Sequence, residues 1–211
     1  MRDTRAKAPD RHDAITRAKG VVSLLKEAAP RIEAARELPE DVLEALHEAG
    51  LFRLLLPKSV GGDELDLRTH AEVLEILAGA DASTAWVMSQ GAGCAMGAAF
   101  LSKEAAERWF RPKRAVLAWG AGLQGKAVAV DGGYRVTGTW TFASGSRHAT
   151  ILGGHSKVFN PDDTPRLRPD GSQLDRTLLF PRSAAEIEDV WDVVGLRGTG
   201  SDTFTVTDLF V

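Results

Sequence analysis

A chain of 211 residues, 44% hydrophobic and 26% charged, is long enough to bury one large core or two smaller ones and too apolar to be disordered. Its formal net charge of -3, with both signs interspersed, gives no basic footprint for nucleic acid and no polybasic tract for a membrane, leaving small molecules and proteins as partners. Cys94 is the single cysteine, which excludes an intrachain disulfide or a cysteine-built metal site and fits a reducing, cytoplasmic setting.

Residues 1–13 are charged and lack the apolar core of a signal peptide, so a solvated, disordered tail is expected there. From Ala14 the apolar spacing is helical: Ala18, Val22, Leu25 and Ala29 fall on one face, and Pro30 is expected to stop that helix or begin another. In "LPEDVLEALHEAG", Pro39 suits a first helical position, Glu40 and Asp41 suit the positive end of the helix dipole, and Gly50 suits the left-handed residue past its end. Val42, Leu43 and Leu46 make its buried face. After the apolar turn "GLFRLLLPKSVGG", Asp66 caps a helix in which Leu67, Ala71, Leu74 and Ala78 are expected to share a face, with Arg68, Glu72 and Glu75 in water. Residues 82–100 are apolar nearly all round and predict a central helix; the most apolar window is short for a bilayer span and carries Ser89 and Gln90 at its centre. Ser102 caps a short closing helix with Trp109 and Phe110.

At Pro112 the period changes from that of helices to that of strands. "RAVLAWG", "KAVAV", "YRVTG", "TWTFA", "ATILGG", "RTLLF" and "TFTVTDLFV" are short, β-branched or aromatic, and separated by Gly, Pro, Asp or Ser. Asp131-Gly132 signals a two-residue hairpin, and "NPDDTPRLRPDGSQLD" reads as a long exposed hairpin loop. Helices first and strands after argue against a doubly wound sheet. They predict an α+β chain, with a helical domain over 14–112 and an antiparallel β-barrel or sandwich domain over 113–211.

Phosphate-cradling, dinucleotide and nucleophile-elbow motifs are absent. The five histidines show no metal-ligand spacing, and no metal is expected. Acidic pairs sit on helix surfaces, so a chemistry-bearing cofactor is a better reading than acid-base catalysis by the protein alone. In "GTWTFASG", alternation places Trp140, Phe142 and Ser144 on one strand face, and Thr139, Thr141 and Ala143 on the other. Two readings stand: the aromatics and hydroxyl line a flat conjugated ring, or the aromatics fill the space between β-layers while Ser144 begins a turn.

Four segments in order, "LPEDVLEALHEAGLFRLLLPKSVGGDELDL", "ADASTAWV", "DGGYRVTGTWTFASGSRHA" and "WDVVGLRGTGSDTFTVTDLFV", resemble the amino-terminal and middle domains of the acyl-CoA dehydrogenase superfamily of flavoproteins. The resemblance implies a flavin, FAD or FMN, with Phe142 packed on the ring and Ser144, the catalytic candidate, hydrogen-bonded near its N5. It also places Trp119, Gly120, Ala121 and Gly125, from "AWGAGLQGKA", at the pyrimidine end of the ring. The wording "STAWV", "FASG" and "GLRGTGS" is similar to the reduced-flavin-dependent monooxygenases of the superfamily, which hydroxylate aromatic or polycyclic compounds with flavin from a separate reductase. That branch implies Trp86 as a wall of the substrate pocket, His148 as a structural polar residue after the flavin strand, and Arg197 as a pin for its turn. An acyl-CoA dehydrogenase is the alternative enzyme, and a non-catalytic scaffold the alternative without turnover. The family's carboxy-terminal four-helix bundle, which carries the base and the tetramer contacts, would follow "TDLFV", where the sequence stops. The expectations are therefore a fragment, a split-gene product, a truncated member or a binding module, with a homo-oligomer or partner chain over the exposed apolar face.

Overall fold

The computed structural model describes residues 11–211. By compactness the chain divides into two units, Met1–Arg114 with Gly195–Gly198, and Ala115–Val194 with Thr199–Val211.

The first unit is helical. Helix α1 spans Arg11–Ala35 and α2 Glu40–Glu48; α3 spans Leu67–Ala78, α4 Ala82–Ala95 and α5 Lys103–Phe110. Of the tail expected over 1–13, the first ten residues lie outside the described residues, and Arg11, His12 and Asp13 already belong to α1. Pro30 neither ends nor starts this helix, which runs through it. Its missing amide costs one hydrogen bond, and burial of Leu25, Ala28 and Ile32 on either side holds the turn. The buried stripe of α1 is Ala14, Ala18, Val21, Leu25, Ala28 and Ile32, so Val22 and Ala29, expected in the buried face, sit beside it instead. In helix α2 Gly50 beyond its end has φ 66° and Val42, Leu43 and Leu46 are buried, as its sequence signals predict, while Pro39 sits at the extended N-cap, one residue before the first helical position expected for it. Asp66, Asp81 and Ser102 cap α3, α4 and α5 through Thr69 N, Thr84 N and Ala105 N.

Helix α3 departs from expectation. It buries Thr69, His70, Val73 and Leu77, while Leu67 is exposed and Leu74 and Ala78 border an open groove. Asp66 sets where the helix begins, but the packing of α1 and α4 against it sets its rotation. Gly198 returns to this unit so closely that a Cβ would lie 2.1 Å from Ile32 Cγ2. No described helix is long and apolar enough to cross a membrane.

The second unit holds β1 (Leu117–Trp119), β2 (Gly125–Val130), β3 (Gly133–Ala143), β4 (Ile151–Phe159), β5 (Asp175–Pro181), β6 (Glu186–Glu188) and β7 (Asp202–Phe210). They form one mixed sheet in the order β1-β4-β2-β3-β7-β6, with β5 pairing to β4 off that path. The β2–β3 and β4–β5 ladders are antiparallel, as the hairpin signals predict, and so are β3–β7 and β6–β7. The β1–β4 and β2–β4 ladders are parallel, which corrects the all-antiparallel expectation. Long-range return of the chain makes those two pairs, and no local turn announces them. Gly132, with φ 78°, closes the β2–β3 hairpin.

The core of this unit gathers around Trp140, which is fully buried. Its indole stacks on Phe204 at 5.2 Å and tilts against Phe180 at 6.2 Å, and its Nε1 donates to the His155 carbonyl at 2.9 Å. Three strands yield glycines to it: a Cβ on Gly125, Gly138 or Gly154 would come within 2.3, 2.7 or 2.5 Å of the ring. One tryptophan thus fixes how closely β2, β3 and β4 approach.

Candidate functional site

Strand β3 breaks its own alternation two residues after Trp140. Trp140 pairs with Phe204 and Ala143 with Asp202, so β3 carries one residue more than β7 over this stretch. That is a β-bulge, which re-aims the side chain at the extra residue. Phe142 has φ 56°, a left-handed conformation that disfavours any side chain with a Cβ. Its ring is turned out of the sheet and is 63% exposed. The expectation that Trp140, Phe142 and Ser144 share one face is therefore corrected: Trp140 fills the core, and the bulge presents Phe142 on the surface.

Ser144 opens the tight turn that follows, its amide donating to the Phe142 carbonyl at 3.0 Å. Its side chain is half-buried, with Oγ 2.8 Å from Ser201 Oγ. Ser201 Oγ is in turn 2.6 Å from Thr199 Oγ1. An exposed aromatic face and a reachable hydroxyl thus lie two residues apart, both held by backbone rather than by flexible side-chain stems.

Residues that the sequence reading did not single out, Gln124, Trp191 and Asp202, hold this element together with Ala121, which it did. Gln124 Oε1 accepts from Thr141 N and its Nε2 donates to Thr141 Oγ1, each at 3.3 Å, while Ala121 N donates to Thr141 O at 2.9 Å. The loop at 121–124 is thereby pinned beside the bulge. On the other side Trp191 meets the Phe142 ring edge-on at 5.9 Å. The backbone amides of Val190 and Trp191 both donate to Asp202 Oδ1 at 3.2 Å. Asp202 is buried and receives Arg147 Nε at 2.6 Å; Arg147 also reaches Asp189 at 2.6 Å. A desolvated carboxylate with a guanidinium and two amides fixes the loop carrying Trp191. Trp191 and Asp202 lie far from Phe142 in sequence, whereas Arg147 follows it in the same segment; the bulge register brings them together, and it requires the fold.

The loop residues carried over from the family play uneven parts. Trp119 is half-buried at the end of β1, tilted against His155 at 5.1 Å. Gly120 and Gly125 are buried, and each lacks a side chain for Trp140: a Cβ on Gly120 would lie 2.4 Å from Trp140 Cβ. Ala121 is exposed, but its amide is engaged by Thr141. His148 follows the turn with its amide donating to the Gly145 carbonyl at 3.2 Å. Burial lowers the pKa of His155, against an opposing pull from Asp175, so at neutral pH it is an uncharged partner for Thr177 at 2.6 Å.

Trp86 belongs to the helical unit. It is 45% exposed and lines an open apolar groove of about 380 Å³ with Leu74, Ala78, Ala85, Ser89 and Leu196. Arg197 is paired within the same unit, to Glu33, at 3.4 Å. A second, more charged cleft of about 510 Å³ includes Arg53, Glu107 and Arg111. Arg53 there is bound by the carbonyls of Gly61, Val60, Phe110 and Pro112 and acts as a structural clamp. Among the described residues no group of three or more His, Cys, Asp or Glu could hold a metal.

Residues 19–114 match the model of the acyl-CoA dehydrogenase N-terminal domain. The chain is 38% identical over 191 residues to the oxygenase subunit HsaA of a flavin-dependent monooxygenase from Rhodococcus jostii, spanning 89% of this chain and 47% of that protein. It is 33% identical over 204 residues to the oxygenase component of an FADH(2)-dependent resorcinol hydroxylase from a Rhizobium species, spanning 93% of this chain and 47% of that one. Among solved structures, XiaF from Streptomyces in complex with FADH2 and glycerol superposes with a TM-score of 0.87 at 30% identity, over 95% of this chain and 49% of that chain. The chain spans about half the length of these relatives.

Proposed function

Since the chain belongs to the acyl-CoA dehydrogenase superfamily and sides with its flavin-dependent monooxygenases, we propose that it supplies the flavin-contacting surface of a reduced-flavin-dependent monooxygenase acting on an aromatic or polycyclic compound. The observation that carries this reading is the bulge at Phe142, where a bulky ring is held exposed in a conformation that side chains avoid, beside the Ser144 hydroxyl. Strain of this kind persists where the surrounding structure over-determines it, and it concentrates at sites that bind.

The residues fit the group. Phe142 offers a flat apolar face to a conjugated ring, and the Ser144 hydroxyl, hydrogen-bonded to Ser201 on one side, is a group that can donate to or accept from a ring nitrogen. Trp119 and the 121–124 loop flank the same element and are assigned to the pyrimidine end of the ring. Gly120 and Gly125 serve that loop by admitting Trp140 beneath it. Reduced flavin, when bound, supplies the electrons with which dioxygen is split between the hydroxylated product and water. This chain's residues orient the ring and hold a hydrogen bond at N5.

Of the two flavins, FAD is favoured by the FADH(2) named for the Rhizobium and Streptomyces relatives. A separate flavin reductase is the expected partner, since relatives are named as oxygenase components. The apolar groove at Trp86 suits an aromatic substrate. Exposed Val190 and Val194 on the strand unit suit contact with a second copy or a further polypeptide.

Anaerobic titration of the chain with FAD and FMN, each oxidised and reduced, tests the reading through flavin absorbance and fluorescence. Tighter binding of reduced flavin is expected. Tight binding of oxidised FAD alone would favour a dehydrogenase, and binding of neither form would overturn the assignment of the Phe142 surface.

A further inference from the structure

In the helical unit, a cleft of about 510 Å³ opens between the segment that follows α2 and the end of α5. That volume is in the range of small-molecule pockets, about 300–1,000 Å³. Its charge is lopsided. Arg53, Arg111 and Lys113 line it with one carboxylate, Glu107, among the described lining residues. Two positive charges are thus in excess, on a chain whose formal net charge is -3. His47 adds none: burial, and after it the Arg114 charge, lower its pKa below the ordinary 6.5, so at neutral pH it lines the wall as an uncharged ring.

The three cations are held differently. Arg53 is fixed by the fold: its Nε donates to the Gly61 carbonyl at 3.2 Å, its Nη2 to those of Val60 and Phe110 at 2.8 and 3.0 Å, and its Nη1 to that of Pro112 at 3.3 Å. These use four of the five N–H groups of a guanidinium and leave one on Nη1. Every acceptor is a carbonyl, which satisfies a donor without cancelling a charge. Burial accordingly lowers the Arg53 pKa, and the carboxylate that opposes this, Asp63, is itself paired with Arg17. Arg111 meets Glu107 only at 4.0 Å, with its side chain 78% exposed. Lys113 is exposed and makes no ion pair or hydrogen bond among the described residues. Ser59 brings an exposed hydroxyl to the same cleft.

We propose that this cleft binds a doubly charged phosphate group, either free or at the end of a small organic ester. Two excess positive charges match a dianion, and donors on separate segments suit the several oxygens of a tetrahedral group better than the two of a carboxylate. Arg53 is a cation already ordered by the fold, so little side-chain freedom is lost there on binding. Arg111 exchanges a long contact with Glu107 for a direct one with the ligand, and Glu107 opposes binding. The proposal stands on the helical unit alone and is independent of the flavin assignment of Phe142.

The test is calorimetric titration of the 211-residue chain, in phosphate-free buffer at low ionic strength, with inorganic phosphate and with phenyl phosphate. Amide 1H–15N spectra locate the site, and thermal unfolding reports on the fold. Saturable binding with a Kd of about 0.1–1 mM is expected for at least one probe, with shifts at Arg53, Ser59, Arg111 and Lys113 and with weakening as salt is raised. Tighter binding of phenyl phosphate identifies an ester as the ligand, and tighter binding of inorganic phosphate the free ion; either upholds the site. Lys113→Ala and Arg111→Gln are each expected to weaken binding about threefold to tenfold, and Glu107→Gln to strengthen it about threefold. Should Arg111→Gln fail to fold, Lys113→Ala carries the comparison, since Lys113 holds no hydrogen bond or ion pair that the fold would lose. Arg68→Gln, which removes an exposed charge elsewhere in the same unit, is expected to leave the affinity unchanged. Equal losses in Arg68→Gln and Lys113→Ala would overturn the site in favour of general attraction. Weaker binding by Glu107→Gln, or no saturable binding of either probe up to about 10 mM, tenfold above the expected range, would also overturn it.

Discussion

At Phe142 two costs coincide. The left-handed backbone is worth about 1–2 kcal/mol against a side chain with a Cβ, and the exposed ring recovers little of it, gaining one edge-on contact with Trp191. Phe142→Gly removes the steric cost and the contact together, while adding the flexibility of glycine to the unfolded chain. Stability measured by urea unfolding is therefore expected to change by less than about 1 kcal/mol. Affinity for reduced flavin is expected to fall about tenfold, the loss of one aromatic face. A large loss of stability with unchanged affinity would mean that the ring serves the fold. Trp140, two residues earlier, is the converse case: its ring is received by glycines on β2, β3 and β4, its Nε1 is satisfied, and its role is confined to the core.

Among the elements, the segment before β7 depends on a single buried carboxylate. Asp202 gathers Arg147 and the amides of Val190 and Trp191. Asp202→Asn keeps the shape but leaves Arg147 with Asp189 as its remaining carboxylate in this cluster. A loss of about 3 kcal/mol in urea unfolding is expected, at the lower end for breaking a buried pair. Weaker flavin binding should accompany it, because Trp191 is no longer fixed beside Phe142. A change under about 0.5 kcal/mol, ordinary for a surface site, would show that the cluster is dispensable.

The elements themselves were largely legible in the sequence. The change of hydrophobic period at Pro112, the caps Asp66 and Ser102, and the Asp131-Gly132 turn each have a local cause and fall where that cause puts them. Legibility fails where partners decide. Helix α3 buries His70, Val73 and Leu77 in place of Leu67, Leu74 and Ala78 because its neighbours set its rotation. The parallel β1–β4 and β2–β4 ladders join segments that no turn connects. The bulge at Phe142 has no composition signal, since the residue at positive φ is a phenylalanine where a glycine would have announced it. Phe142 and Ser144 are nominated in the sequence only through wording similar to the family, whereas the contacts of Gln124, Trp191, Ser201 and Asp202 become visible only once strands and loops are assembled.

For the whole molecule, three histidines make stability pH-dependent in one direction. Burial lowers the pKa of His47, His70 and His155 below the ordinary 6.5, with the Arg114 charge adding to the effect at His47. His70 is the most enclosed in its own unit, its Nε2 buried with no hydrogen-bond partner. The unfolded chain takes up these protons near the ordinary value and the folded chain only at lower pH. The unfolded state thus binds more protons in that window, and stability present above about 6.5 is lost as the pH falls. The urea midpoint is expected to be lower at pH 5.5 than at pH 7.5, and His70→Phe, which keeps a ring but cannot titrate, is expected to flatten part of that slope. An unchanged slope in His70→Phe would assign the dependence elsewhere.

The most direct test of the central claim is an amide 1H–15N spectrum of the labelled chain, recorded anaerobically as reduced FAD is added. Shifts are predicted to concentrate at Phe142, Ser144 and their supports, namely the 121–124 loop, Trp191 and Ser201. Shifts confined to the helical residues around Trp86, or none at saturating flavin, would contradict the assignment of the bulge on β3 as the flavin surface.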